Sequence, residues 1–135
     1  MATSEITRVV PMKGPVGIVI IGRNEGERLH HCLAAVVNLG LPVVYVDSSS
    51  TDGSVAMARE MGADVVELDM TRPFTAGRAR NAGFARLEEI DAGIEHVQFV
   101  DGDCELNEQW PQQAMAYLNV HAEVAAVCGR LLRGR

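Results

Sequence analysis

From Val16 onward the chain alternates short apolar runs with longer amphipathic stretches. Val16-Gly17-Ile18-Val19-Ile20-Ile21 is unbroken, apolar and too short for a helix, which predicts a strand buried on both faces. Gly22-Arg23-Asn24-Glu25-Gly26 interrupts it. Leu29, Cys32, Leu33, Val36 and Val37 then recur at three- and four-residue spacing, one face of an amphipathic helix that Gly40 should end. Val43-Val44-Tyr45-Val46 predicts a second buried strand ending at Asp47, and Ser48 to Gly53 a loop rich in helix-capping side chains. A short helix through Val55, Ala58 and Met61 and a third strand at Val65, Val66 and Leu68 follow.

Beyond Pro73 the spacing predicts a helix over about Ala76 to Ile90, with Ala79, Ala82, Gly83, Arg86, Leu87 and Ile90 inward. Small residues on that face suggest close packing on a sheet. Val97-Gln98-Phe99-Val100 reads as the end of a fourth buried strand, and it stops abruptly at Asp101-Gly102-Asp103. A helix is expected from Asn107 or Glu108, with Pro111 in its first turn and Ala114, Met115, Leu118 and Val120 as its apolar face. Val124-Ala125-Ala126-Val127-Cys128 predicts a fifth strand, with a basic tail after it. Strands alternating with helices imply an α/β fold: a mostly parallel sheet with helices on both faces and right-handed crossovers.

Composition narrows the function classes. With 47% apolar and 22% charged residues in a chain of 135, one globular domain with a real core is expected. The net charge of −6 speaks against a nucleic-acid partner, which would call for a basic face. Cys32, Cys104 and Cys128 are odd in number and widely spaced, so neither a disulfide framework nor a zinc site is expected. No apolar run approaches the roughly 18 residues of a transmembrane segment. Met1 to Lys13 lacks the apolar centre of a signal peptide, so residues 1–15 read as an N-terminal arm and the location as cytoplasmic.

The chemistry gathers at strand ends. Carboxylates just past the carboxyl end of a parallel strand sit where open α/β sheets bind ligands. Asp101 and Asp103, separated by one small residue, offer hard oxygens suited to Mg2+ or Mn2+ with bound phosphates. Gly102 leaves room for close approach and permits an unusual φ. An EF-hand calcium loop is disfavoured, because Leu106 stands where that loop needs glycine. His30-His31-Cys32 cannot easily serve one ion, since adjacent helical residues point about 100° apart. The chain lacks the glycine signatures of the common dinucleotide and triphosphate cradles.

Three motifs, Ile21-Gly22-Arg23-Asn24-Glu25, Val46-Asp47-Ser48-Ser49-Ser50-Thr51-Asp52-Gly53-Ser54 and Val100-Asp101-Gly102-Asp103-Cys104-Glu105, stand in an order that resembles family 2 glycosyltransferases. Ala79-Arg80-Asn81-Ala82-Gly83 resembles a fourth landmark of that family. The resemblance implies a Rossmann-like GT-A fold and transfer of a sugar, usually with inversion, from a nucleotide-diphosphate donor. UDP-sugar is the favoured donor. It also implies that Glu25 and Asp47 contact the nucleoside, with Asp47 meeting the base. Arg80 would pair with phosphate oxygens, Asp101 would reach the ribose or a metal-bound water, and Asp103 would ligate Mn2+ or Mg2+. The chain departs from the family at Ser48, where many members carry a second acid. Asp52 reads primarily as a helix cap, and Arg78 as a weaker phosphate candidate than Arg80.

Residues 16–135 are thus expected to form a nucleotide-sugar-binding domain that lacks the acceptor-binding part. An inverting transferase needs a general base. The resemblance places that base beyond the metal motif, and no acidic residue follows Glu123, so none is assigned and the acceptor stays unidentified. The alternative is a non-catalytic nucleotide-sugar-binding or assembly module. Apolar surface left uncovered would favour a homo-oligomer.

Overall fold

The computed structural model describes residues 16–129. The expected N-terminal arm and basic tail fall outside them. Within that range lie β1 (Val16–Gly22), α1 (Glu27–Val36), β2 (Val43–Asp47), α2 (Ser54–Glu60), β3 (Asp64–Glu67), α3 (Ala76–Ile90), β4 (His96–Asp101) and α4 (Trp110–Val120). A single 3-10 turn, Val37–Leu39, extends α1 and ends at Gly40 in the left-handed conformation. Among the described residues no helix is long and apolar enough to cross a membrane.

The four strands form one sheet in the order β3-β2-β1-β4, with every pairing parallel. From β1 the chain steps outward to β2 and β3, then returns through α3 to lay β4 on the other side of β1. The direction of winding therefore reverses between β1 and β4. That reversal opens a crevice at the carboxyl ends of those two strands, the usual ligand position in such sheets.

The period-two alternation of β1 and β2 sends side chains to two separate cores. On one face Ile18, Ile20 and Tyr45 pack with Leu29, Cys32, Leu33 and Val36 of α1 and Ala58 of α2. On the other, Val19, Ile21, Val44 and Val46 meet Ala79 and Leu87 of α3. Each fully buried aliphatic side chain contributes about 1.5–3 kcal/mol. Helix α3 lies close to the strands because Gly83 has no side chain. A Cβ there would overlap Val19 Cγ1 and stand 3.0 Å from Val46 Cγ2. Arg86 ties the same helix to β3, donating from Nε to Asp64 Oδ1 at 2.8 Å and from Nη2 to Asp64 Oδ2 at 2.9 Å. This bidentate bond holds the Asp64 carboxyl below the usual carboxylate range.

Several expectations need correction. Residues 124–129 form no strand. Ala125 and Ala126 are exposed and offer little apolar area to bury. Among the described residues strand β4 is consequently an edge, with Val100 buried but Phe99 42% exposed, so it is less buried than the sequence suggested. The third strand spans Asp64–Glu67; Leu68 lies just past it and still joins the α3-side core. Ile90 is exposed at the end of α3, whereas Arg86, though only half-buried, faces the sheet as expected and bonds Asp64 of β3. Helix α4 begins at Trp110, after a turn in which Asn107 accepts from Gln109 and Trp110, and its Val120 is exposed.

Candidate functional site

At the crevice the turn after β4 is fixed to the end of β1. The Gly102 N–H donates to the Ile21 carbonyl at 2.7 Å, and the Cys104 N–H donates to the Asp101 carbonyl at 2.9 Å. The buried Cys32 thiol also donates to the Asp101 carbonyl, at 3.8 Å. A Cβ on Gly102 would stand 3.1 Å from the Ile21 oxygen and 3.4 Å from Glu25 Cγ. Close approach, then, is what requires glycine at 102; its φ is not positive, so the conformational freedom glycine permits is not used there.

Above that turn the acidic groups converge. Asp101 and Asp103 are exposed. The Glu25 side chain packs against both Gly22 and Gly102. Glu25 Oε1 lies 3.0 Å from Arg28 Nη2, but without hydrogen-bond alignment, so this oxygen is buried with no donor. Burial pushes the Cys32 thiol up to about 12, assisted by Cys104 and the carboxylates of Asp103, Asp101 and Glu105. The Cys104 thiol is raised by burial and by Asp103, whose Oδ1 accepts from it at 3.5 Å. Both thiols therefore stay protonated at neutral pH, in a field dominated by negative charge. Arg80, from the first turns of α3, reaches across to Asp101 Oδ1 at 3.3 Å.

One strand over, Asp47 ends β2 beside Gly22 of β1. It is only 2% exposed. Its Oδ1 accepts from the Tyr45 hydroxyl at 2.6 Å and from Ser50 Oγ at 2.6 Å, and its Oδ2 accepts from the Ser50 N–H at 2.8 Å. Asn24 joins this loop to the one after β1: its N–H donates to Ser50 Oγ at 2.8 Å, and its Oδ1 accepts from the Thr51 N–H at 2.7 Å. Asn24 and Ser49 both have left-handed backbones, φ 51 and 64. Such conformations cost on the order of 1–3 kcal/mol and cluster at functional sites.

Glu25, Asp47, Arg80, Asp101 and Asp103 are thus placed at one end of the sheet, four of them around the β1–β4 crevice and Asp47 on the neighbouring strand. Arg78 stands apart. Its guanidinium donates to the carbonyls of Asp69, Arg72 and Pro73 and closes the loop before α3. Asp52 accepts from the Ser54 N–H at 3.1 Å and Ser54 Oγ at 2.5 Å, a local turn at the start of α2 that lowers its pKa. Trp110 packs on Gly129. Tyr45, Ser50 and Asn24 were not singled out from sequence. The available signal was a phenol two residues before Asp47, on the same strand face.

The model described as glycosyl transferase family 2 matches residues 17–135. The chain belongs to that family. An uncharacterised glycosyltransferase of Rickettsia conorii is 41% identical over 51 residues, and one of Rickettsia felis 39% identical over 51. In both cases the match covers 38% of this family 2 chain and 18% of the relative's length. Among solved structures, glucosyl-3-phosphoglycerate synthase of Mycobacterium tuberculosis, in complex with Mn2+, UDP and glucosyl-3-phosphoglycerate, superposes with a TM-score of 0.61 at 21% identity. That match covers 78% of the present chain and 39% of the synthase. The sheet and its helices are therefore those of a GT-A glycosyltransferase, of which the chain spans less than two-fifths.

Among the described residues no group of three or more His, Cys, Asp or Glu side chains is placed to hold a metal ion by itself. That donor set still fits a hard cation of the Mg2+ or Mn2+ type, which takes one or two carboxylates and completes its shell with phosphate oxygens and water.

Proposed function

We propose that the chain is the donor-binding domain of a glycosyltransferase, which binds a nucleotide-diphosphate sugar, most simply a UDP-sugar, together with Mn2+ or Mg2+. One observation carries this reading: the Asp101-Gly102-Asp103 turn is pinned to the end of β1 at the switch point, by the bond from Gly102 to Ile21 at 2.7 Å. Membership of family 2 and the fold shared with a Mn2+- and UDP-bound synthase support it.

In this assignment Asp103 and Asp101 hold the cation. The cation, when bound, acts as a Lewis acid toward the diphosphate that leaves. Arg80 starts as the partner of Asp101 and turns to the phosphate oxygens, where a guanidinium bonds strongly. Glu25, whose buried Oε1 has no donor, accepts from the nucleoside. Asp47 accepts from the base. The acceptor substrate and the general base that deprotonates it lie outside this assignment.

Calorimetric titration of the chain with UDP, with and without Mn2+, tests the proposal when repeated on Asp103→Ala. Binding that requires Mn2+ and weakens about 30-fold in the variant is expected. Binding indifferent to the metal, or no binding by the folded chain, would overturn it.

A further inference from the structure

We propose that Tyr45 is a positioning residue that fixes Asp47 as an acceptor, so that the site selects nucleobases bearing a ring N–H. This rests on the donor-site reading above and extends it to the choice of base.

Tyr45 is wholly buried in the layer of Ile18, Ile20 and Leu29, where a phenylalanine would supply the same apolar body. The hydroxyl is therefore the feature that needs a reason. It donates to Asp47 Oδ1 at 2.6 Å, with the Ser50 side chain beside it. A buried hydroxyl must find an acceptor, and here the acceptor is the strand-end carboxylate itself. Burial and the bond to Asp47 both raise the phenol's pKa, so it remains a donor across the working pH range.

With Ser50 giving both its Oγ and its N–H, three donors hold the carboxylate. An ionised carboxylate accepts about four hydrogen bonds and donates none. One acceptor position remains, on Oδ2. Asp47 is only 2% exposed, so an incoming donor meets a carboxylate already held from within the fold. Tyr45 anchors Oδ1 from within the core and Ser50 from the loop, while Asn24 ties that loop to the one after β1. The carboxylate therefore cannot turn to suit a different base.

A fixed acceptor discriminates by chemistry. Uracil, thymine and guanine present a ring N–H at their pairing edge. Cytosine and adenine present a ring nitrogen lone pair there, which would face the carboxylate with like polarity. Selectivity of this kind rests on rejecting the wrong ligand as much as on holding the right one.

The test measures dissociation constants of UDP against CDP, and of GDP against ADP, at fixed Mn2+ for the native chain and Tyr45→Phe. The native chain should favour the ring N–H member of at least one pair by about tenfold or more. Tyr45→Phe should shrink that ratio at least about threefold by weakening the favoured nucleotide, with the disfavoured one nearly unchanged. A purely structural role would lower the melting temperature or weaken both members equally, leaving the ratio intact. Ser50→Ala withdraws the other hydroxyl from the same oxygen and should shift the ratio likewise, which keeps the test available if Tyr45→Phe folds poorly. Native binding without preference, a preference intact in folded Tyr45→Phe, or, where that variant does not fold, a preference intact in Ser50→Ala, overturns the role of Tyr45 while the donor site stands. Absence of any nucleotide binding by the native chain overturns both.

Discussion

Asp47 and Asp101 are strand-end carboxylates on either side of β1, and they are held in opposite ways. Asp47 is 2% exposed under three hydrogen bonds from Tyr45 and Ser50. The Asp101 side chain is 57% exposed with, among the described residues, a single side-chain partner, Arg80 at 3.3 Å, and Asp103 beside it is exposed as well. Folding alone completes the first arrangement. The second leaves Asp101, Asp103, Glu105 and Glu25 near Cys32 and Cys104, whose thiols are pushed up first by burial and further by these carboxylates. One side of the site is therefore held by hydrogen bonds from within the fold, and the other stands open to solvent.

Substitution should separate the two ends. Asp47→Ala strands the Tyr45 hydroxyl and the Ser50 N–H without their acceptor. It should cost about 3 kcal/mol, read as a lower midpoint in urea unfolding with an unchanged slope. Asp103→Ala removes an exposed side chain, so stability should stay within about 0.5 kcal/mol of native. Its effect belongs to binding: Mn2+-dependent UDP affinity should fall about 30-fold, roughly 2 kcal/mol. If Asp103→Ala unfolded the chain and Asp47→Ala did not, the contrast would be reversed. Gly102→Ala lies between them, because its Cβ would press on the Ile21 carbonyl at 3.1 Å. A loss of about 1–2 kcal/mol is expected, together with weaker Mn2+ dependence as the turn lifts from β1.

Much of this architecture is legible in the sequence, and the illegible parts share a cause. Strands β1 and β2 announce themselves because both faces are covered, so Ile18 to Ile21 and Val43 to Val46 need no polar alternation. The tight seat of α3 shows in Ala79 and Gly83. Strand β4 misleads: Phe99 looks like a core residue until the strand order makes β4 an edge. Val124 to Val127 has the composition of a strand but pairs with nothing among the described residues. The acids are conspicuous because each ends an apolar run. Their states are not conspicuous, since the burial of Asp47 depends on Ser50 and on Asn24, 26 residues from Ser50 in sequence. Local pattern reports which residues end a strand. Only the tertiary arrangement reports which of them are already satisfied.

Arg80 provides the smallest and most discriminating change in stability. Its side chain is 39% exposed and its bond to Asp101 spans 3.3 Å, so solvent screens most of the attraction. Arg80→Gln should therefore alter unfolding free energy by less than about 0.5 kcal/mol. Removing the guanidinium also frees Asp101 from the cationic side chain that pairs with it. Mn2+ alone, titrated without nucleotide, should then bind about two- to threefold more tightly, an advantage that fades as ionic strength rises. UDP in saturating Mn2+ should bind several-fold more weakly, because the phosphate loses a charged donor. These opposite signs are the decisive readout. A guanidinium that served Asp101 only would raise the affinity for both, and one that served only the fold would change neither, so a rise for metal with a fall for nucleotide identifies Arg80 as shared between the carboxylate and the diphosphate.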